Sequence, residues 1–77
     1  MPTHTLTSGS VGPERRWGWL LSTDGSQIGY HDGPFDPDPD TDALTARLWA
    51  DDLTGATRSW TPGTWSAHGP RSYTTEA

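Results

Sequence analysis

The residues best suited to recognition chemistry are two tryptophans that flank a Pro-Gly pair late in the chain. Trp60 and Trp65 stand on either side of that pair, Arg58 precedes the first tryptophan and His68 follows the second. Tryptophan and arginine are enriched among the residues that dominate protein interfaces. We therefore predict a binding surface formed by Arg58, Trp60, Trp65 and His68, in which the two indoles are exposed.

The five tryptophans are also the main source of core material. Hydrophobic residues make up only 30% of the 77-residue chain, with six leucines, one isoleucine and one valine. One interpretation assigns all five indoles to the core. However, a small sheet and one short helix cannot easily cover them all, so we expect Trp17, Trp19 and Trp49 inside and the Trp60–Trp65 pair outside.

A regular series of aspartates, Asp36, Asp38, Asp40 and Asp42, has the spacing of the first ligands in an EF-hand calcium loop. Such a loop needs glycine at its sixth position and glutamate at its twelfth. Here these positions hold Thr41 and Arg47, and two prolines interrupt the series. We expect no metal site, and interpret the segment as a solvated linker into a helix. Its Asp36, Asp38 and Asp40 are candidate contacts for a partner.

No residue pattern predicts catalysis or a cofactor. The histidines His4, His31 and His68 lack the compact spacing of a zinc site, although His31 and His68 would meet if two hairpins paired. There is no nucleophile elbow, no phosphate-binding loop and no lysine for a Schiff base. We expect a protein that is not an enzyme and has no catalytic residues, metal or cofactor.

Charge and composition narrow the class of partner. The net charge of −5 argues against direct nucleic-acid binding, which usually uses a basic surface. No segment approaches the roughly 20 apolar residues of a membrane span. The chain has no cysteine, whereas small secreted domains usually rely on disulfides. We expect a cytoplasmic protein whose partner is another protein or a second copy of itself.

The order of hydrophobic patterns predicts an α+β fold with one domain over residues 16–68. Residues 1–15 are interpreted as a flexible arm and residues 69–77 as a tail, anchored at most by Tyr73. Residues 16–31 predict a hairpin around Asp24-Gly25, with Trp19 opposite Tyr30 and Leu21 opposite Ile28. In that register, one face carries Trp17, Trp19, Leu21, Ile28 and Tyr30.

The second half predicts a helix and a further hairpin. The helix spans about 42–54, capped by Asp40 or Thr41 and ended by Gly55, after a loop whose prolines exclude helix. Its apolar stripe, expected to face the sheet, is Leu44, Leu48, Trp49 and Leu53. A turn at Pro62-Gly63 places Trp60 opposite Trp65, although a wider turn with one real strand is an alternative. The expected order is ββαββ or ββαβ, with the helix packed on one face of an antiparallel sheet.

These observations favour a small non-enzymatic protein-interaction module, an accessory or inhibitory protein of bacterial or phage origin. A first alternative is an acidic nucleic-acid mimic, in which aspartates imitate phosphates and block a DNA- or RNA-binding protein. A second is a module that stacks carbohydrate on exposed indoles. We rank the three functions in this order, with the interaction module first.

Overall fold

The computed structural model describes residues 2–32, 36–63 and 71–76, and they form one antiparallel sheet and one helix. The α+β class and the single domain are thereby confirmed. In the described residues the sheet order is β3-β2-β1-β5-β4. The elements are β1 Thr3–Val11, β2 Arg16–Thr23, β3 Ser26–Asp32, α1 Pro39–Thr54, β4 Thr61–Pro62 and β5 Ser72–Glu76.

The predicted flexible arm over residues 1–15 is wrong, because its residues Thr3–Val11 form β1 at the centre of the sheet. β1 pairs with β2 on one side and with β5 on the other. Leu6 is fully buried opposite Leu21, while Thr5 and Thr7 lie on the other face of the strand. Threonine is a strong β-former that suits a solvated sheet face. The polar composition of this segment indicated a flexible chain, whereas the alternation of buried and solvent-facing side chains along it is that of a β-strand.

The second correction concerns the C-terminal tail and the Pro-Gly turn. Ser72–Glu76 forms β5, which Tyr73 anchors in the core at 4% exposure. Pro62 lies in strand β4 and pairs with Tyr73, so the predicted two-residue hairpin turn at Pro62-Gly63 is wrong. The predicted pairing of Trp60 with Trp65 falls partly outside the described residues, since 64–70 are not described.

The hairpin of β2 and β3 is confirmed at its turn but not along its whole length. Asp24 and Gly25 both have positive φ, 50° and 83°, as a type I′ turn requires. A β-bulge between Leu21 and Ser22 shifts the register of the hairpin, so that Leu21 pairs with Gly29 instead of Ile28. The predicted five-residue apolar face is therefore wrong. Its exposed members are Trp17 at 49%, Ile28 at 47% and Tyr30 at 41%.

Helix α1 starts earlier than predicted and ends where predicted. Asp38 caps it, accepting hydrogen bonds from the Thr41 amide at 3.0 Å and the Thr41 hydroxyl at 2.8 Å. Pro39 occupies the first turn, where a missing N–H costs nothing, so the prolines do not exclude helix there. Gly55 ends the helix in the left-handed conformation, with φ of 79°.

The helix packs on the sheet through alanines, which overturns the predicted leucine stripe. Ala43, Ala46 and Ala50 are at most 2% exposed and contact the cluster built from Trp19 and Tyr73. These bulky sheet residues fill the space between the layers, so the helix approaches closely only through small side chains. The predicted core positions Leu44, Leu48 and Leu53 remain 50%, 59% and 48% exposed, and Trp49 is half-buried against the cluster.

Candidate functional site

An open groove runs between helix α1 and the segment that follows it, and we name it the α1 groove. It encloses about 270 Å³. The sequence pattern nominated two of its lining residues, Arg58 and Trp60, and its floor includes two exposed leucines. The residues that line it are Leu44, Arg47, Leu48, Asp51, Thr57, Arg58 and Trp60.

Helical periodicity places the groove's side chains in one row. Leu44, Leu48 and Asp51 are spaced four and three residues apart, so they lie on one face of α1, with Arg47 beside them. Because the alanine face is turned to the sheet, this row faces outward. Leu44 and Leu48 are consequently half or more exposed, side by side, at positions where a structural helix usually carries polar residues.

Asp51 joins the helix to the following segment. Its Oδ1 accepts the Trp60 indole N–H at 2.8 Å and the Arg58 backbone N–H at 3.2 Å. Trp60 is half-buried and packs against the core cluster, so only part of its ring is available at the surface. The predicted recognition residue Trp60 is therefore both a packing residue and one wall of the groove.

The two arginines of the groove form no ion pair with an acidic side chain of the described residues. The Arg47 guanidinium lies over the Tyr73 ring at 4.9 Å, and its Nε is buried with no hydrogen-bond partner among those residues. Arg58 donates from Nε to the Thr54 hydroxyl at 2.9 Å and from Nη2 to the Thr54 carbonyl at 3.3 Å. Among the described residues, the ion pairs are Arg16 with Glu14 and Arg71 with Asp40, neither of which involves the groove.

The acidic segment has structural functions that the sequence did not reveal. Asp36 accepts the Asp38 backbone N–H at 2.8 Å, and Asp38 caps the helix. Hydrogen bonds from Thr41 lower the pKa of Asp38. Asp40 pairs with Arg71 at 3.1 Å. In the described part of the chain, no group of three or more acidic, histidine or cysteine side chains is placed to hold a metal ion.

Asp42 is a buried carboxylate whose role the sequence also concealed. It is 6% exposed, and its Oδ2 accepts the indole N–H of the buried Trp19 at 3.0 Å. Its Oδ1 accepts the Asp36 backbone N–H at 3.3 Å. Asp42 therefore stabilises the junction between the acidic segment and the core. The sequence placed it only in the first turn of the helix.

The remaining predicted site residues do not join the α1 groove in the described structure. Trp65 and His68 lie outside the described residues. His31, predicted on a polar sheet face near His68, instead contacts the Trp49 ring edge-on, with centroids 5.8 Å apart. The groove residues that sequence reasoning missed are Arg47, Leu44 and Leu48. The alanine spacing of α1 was the signal that would have turned the leucines outward.

No protein-family model, curated protein or solved structure matches this chain. Within the described part of the chain, no helix has the length and hydrophobicity needed to cross a membrane.

Proposed function

We propose that the protein is a small non-enzymatic interaction module that binds a partner protein through the α1 groove. Within this proposal it is an accessory or inhibitory protein of bacterial or phage origin. Its proposed compartment is the cytoplasm, because secreted domains of this size usually carry disulfides and this chain has no cysteine.

The observation that carries the proposal is the adjacent exposure of Leu44 and Leu48. In a chain with only 30% hydrophobic residues, these two leucines remain half or more exposed while alanines pack the core. Single exposed apolar residues are ordinary, whereas contiguous ones bordered by arginine and tryptophan are typical of interfaces. Covering Leu44, Leu48 and the exposed edge of Trp60 would supply the apolar centre of such an interface.

The acidic mimic has less support, because its aspartates are already engaged. Asp38 caps α1, Asp40 pairs with Arg71 and Asp42 is buried. A phosphate mimic needs carboxylates that are free to meet the partner's cations. Only part of the segment therefore offers a negative edge.

The proposal is tested by affinity capture from lysate of the source organism, with the wild-type protein and its leucine variants as baits. The L44S/L48S double variant removes the apolar floor of the groove, while L53S changes a leucine of similar exposure that contacts Gly29 outside it. Both variants should keep the wild-type circular dichroism spectrum. We expect a protein retained by wild type and L53S and lost by L44S/L48S.

Two results would count against the proposal. One is equal retention by all three proteins, which would place binding elsewhere. The other is no retained protein with wild type under conditions that keep the chain folded. The leucines are better test positions than Trp60, whose packing against the core mixes binding with stability.

A further inference from the structure

We infer that the α1 groove recognises an acidic apolar segment, in which carboxylates flank a large hydrophobic side chain. This inference rests on the proposed function and specifies the chemistry of the partner. The local charge of the groove is opposite in sign to that of the whole protein. The protein carries −5, yet the described residues that line the groove include Arg47 and Arg58 with a single carboxylate, Asp51.

Arg47 is positioned before any partner arrives. Its guanidinium is held over the ring of Tyr73, which is only 4% exposed. No carboxylate of the described residues lies within ion-pair distance of it. A cation fixed by stacking loses little conformational entropy on binding an anion, which favours a partner carboxylate at this point.

Arg58 provides the second cationic point of the groove. Its Nε and Nη2 are occupied by Thr54 at the end of α1, while Nη1 has no partner among the described residues. The helix has no basic residue in its last turn, so Arg58 also neutralises the negative end of the helix dipole. Its orientation is thus fixed by the fold, with donor capacity left over for a ligand.

Asp51 and Asp52 limit where a partner carboxylate can lie. Asp51 is occupied by the Trp60 and Arg58 N–H groups, and it leaves the groove with two cations against one anion. Asp52 lines a neighbouring depression together with Leu48. A partner carboxylate is therefore favoured at the two arginines and disfavoured on the Asp52 side.

The length of the groove indicates the size of the segment. From Leu44 to Asp51 the helix rises about 10 Å, at ~1.5 Å per residue. This corresponds to about three residues of extended chain. A large apolar residue between two acids would thus place its side chain on the leucines and its carboxylates near Arg47 and Arg58. A nucleic-acid strand would supply anions, but it would be repelled by the overall charge and would leave the leucines uncovered.

Titration with two capped peptides, followed by 15N–1H NMR, tests this chemistry. The probes are Ac-Glu-Phe-Glu-NH2 and its uncharged counterpart Ac-Gln-Phe-Gln-NH2. The reporters are the Trp60 indole N–H and the backbone amides of Leu44 and Leu48. We expect the acidic peptide to bind wild type about tenfold more tightly than the uncharged one, as two charge-assisted contacts would allow.

Matched variants assign that preference to the groove. R47Q/R58Q should bind both peptides equally, whereas R15Q/R16Q, with the same change in net charge outside the groove, should keep the wild-type preference. R58Q alone leaves the stacking of Arg47 on Tyr73 intact and should lose part of the preference. This single variant keeps the test valid if the double variant does not fold.

Three results would overturn the inference. Equal binding of both peptides at the groove would indicate an uncharged apolar partner and leave the proposed function standing. Tighter binding of a ten-nucleotide oligothymidine than of the acidic peptide would indicate a nucleic-acid ligand. No shift of the groove reporters with either peptide would reject an acidic apolar partner. Affinity capture with the leucine variants would then decide the proposed function separately.

Discussion

The orientation of helix α1 leads to a prediction with opposite outcomes on its two faces. Leu48 is 59% exposed, so less than half of its side chain leaves water on folding. Full burial of a leucine contributes about 1.5–3 kcal/mol. We therefore expect Leu48→Ala to lower the free energy of unfolding by less than about 1 kcal/mol, against ~2–5 kcal/mol for a core leucine.

The matching change on the buried face should be costly. Ala46 is 0% exposed and lies in the cluster with Trp19 and Tyr73. Ala46→Leu forces three extra carbon atoms into a packed layer, so we expect a loss of about 1–3 kcal/mol or more. Together the two variants report which face of the helix meets the sheet.

Urea unfolding followed by tryptophan fluorescence measures both effects. We expect Leu48→Ala to unfold close to the wild-type midpoint, and Ala46→Leu to unfold at clearly lower urea or not to fold at all. The reverse ranking, a large loss for Leu48→Ala and tolerance of Ala46→Leu, would refute the alanine-packed helix. It would also return Leu48 to the core and remove the floor of the α1 groove.

Two further predictions concern the acidic residues. Asp42→Ala should lower the free energy of unfolding by about 1–3 kcal/mol, because it leaves the buried Trp19 N–H without an acceptor. Asp42→Asn keeps an acceptor and should cost less. Equal losses for the two variants in urea unfolding would contradict this. Asp38 has its pKa lowered from 3.8 by Thr41, so its stabilising effect is present above that pH and lost as the pH falls through the folded pKa. The difference in melting temperature between wild type and Asp38→Ala should therefore become smaller from pH 7 to about pH 3. A difference that stays constant or grows in acid would contradict this.

Local chemistry predicted the first hairpin turn and the end of the helix, but not its N-cap Asp38 or the strand at Pro62. Asp24-Gly25 supplied the positive φ values of the hairpin turn, and Gly55 ended the helix. The bulge at Ile28 was not predictable from the strand sequence alone. It brings Gly29 opposite Leu21, at a point where a side chain of the helix approaches the strand. A Cβ on Gly29 would lie 2.8 Å from a methyl group of Leu53, so the paired position leaves no room for a side chain.

The central strand was missed because polar composition concealed a regular alternation. In β1, Leu6 points into the core while Thr5 and Thr7 stand on the opposite face. The period of two was present in the sequence, but threonine, serine and glycine together were interpreted as flexible. A strand with one solvated face needs few apolar residues, so the pattern is more informative than the composition.

The candidate site was predicted only in part, for a reason that lies in packing. Arg58 and Trp60 were nominated from residue type, whereas Leu44 and Leu48 were assigned to the core because leucine is the larger hydrophobe. Which face of an amphipathic helix is buried depends on the bulk of the opposing layer. Here Trp19 already fills that layer, and along the helix itself the spacing of the alanines was the one signal of it.

The exposed leucines of the helix differ in their surroundings. Leu53 is 48% exposed and approaches Gly29, so part of its side chain is covered by the sheet. Leu44 and Leu48 are different, because they are neighbours and share a groove with Trp60. The core is already closed by alanine, and a polar residue at either position would leave that closure intact. Under the proposed function, their apolar side chains would contact a partner protein, and the Arg47 guanidinium that lines the same groove would favour a partner carboxylate.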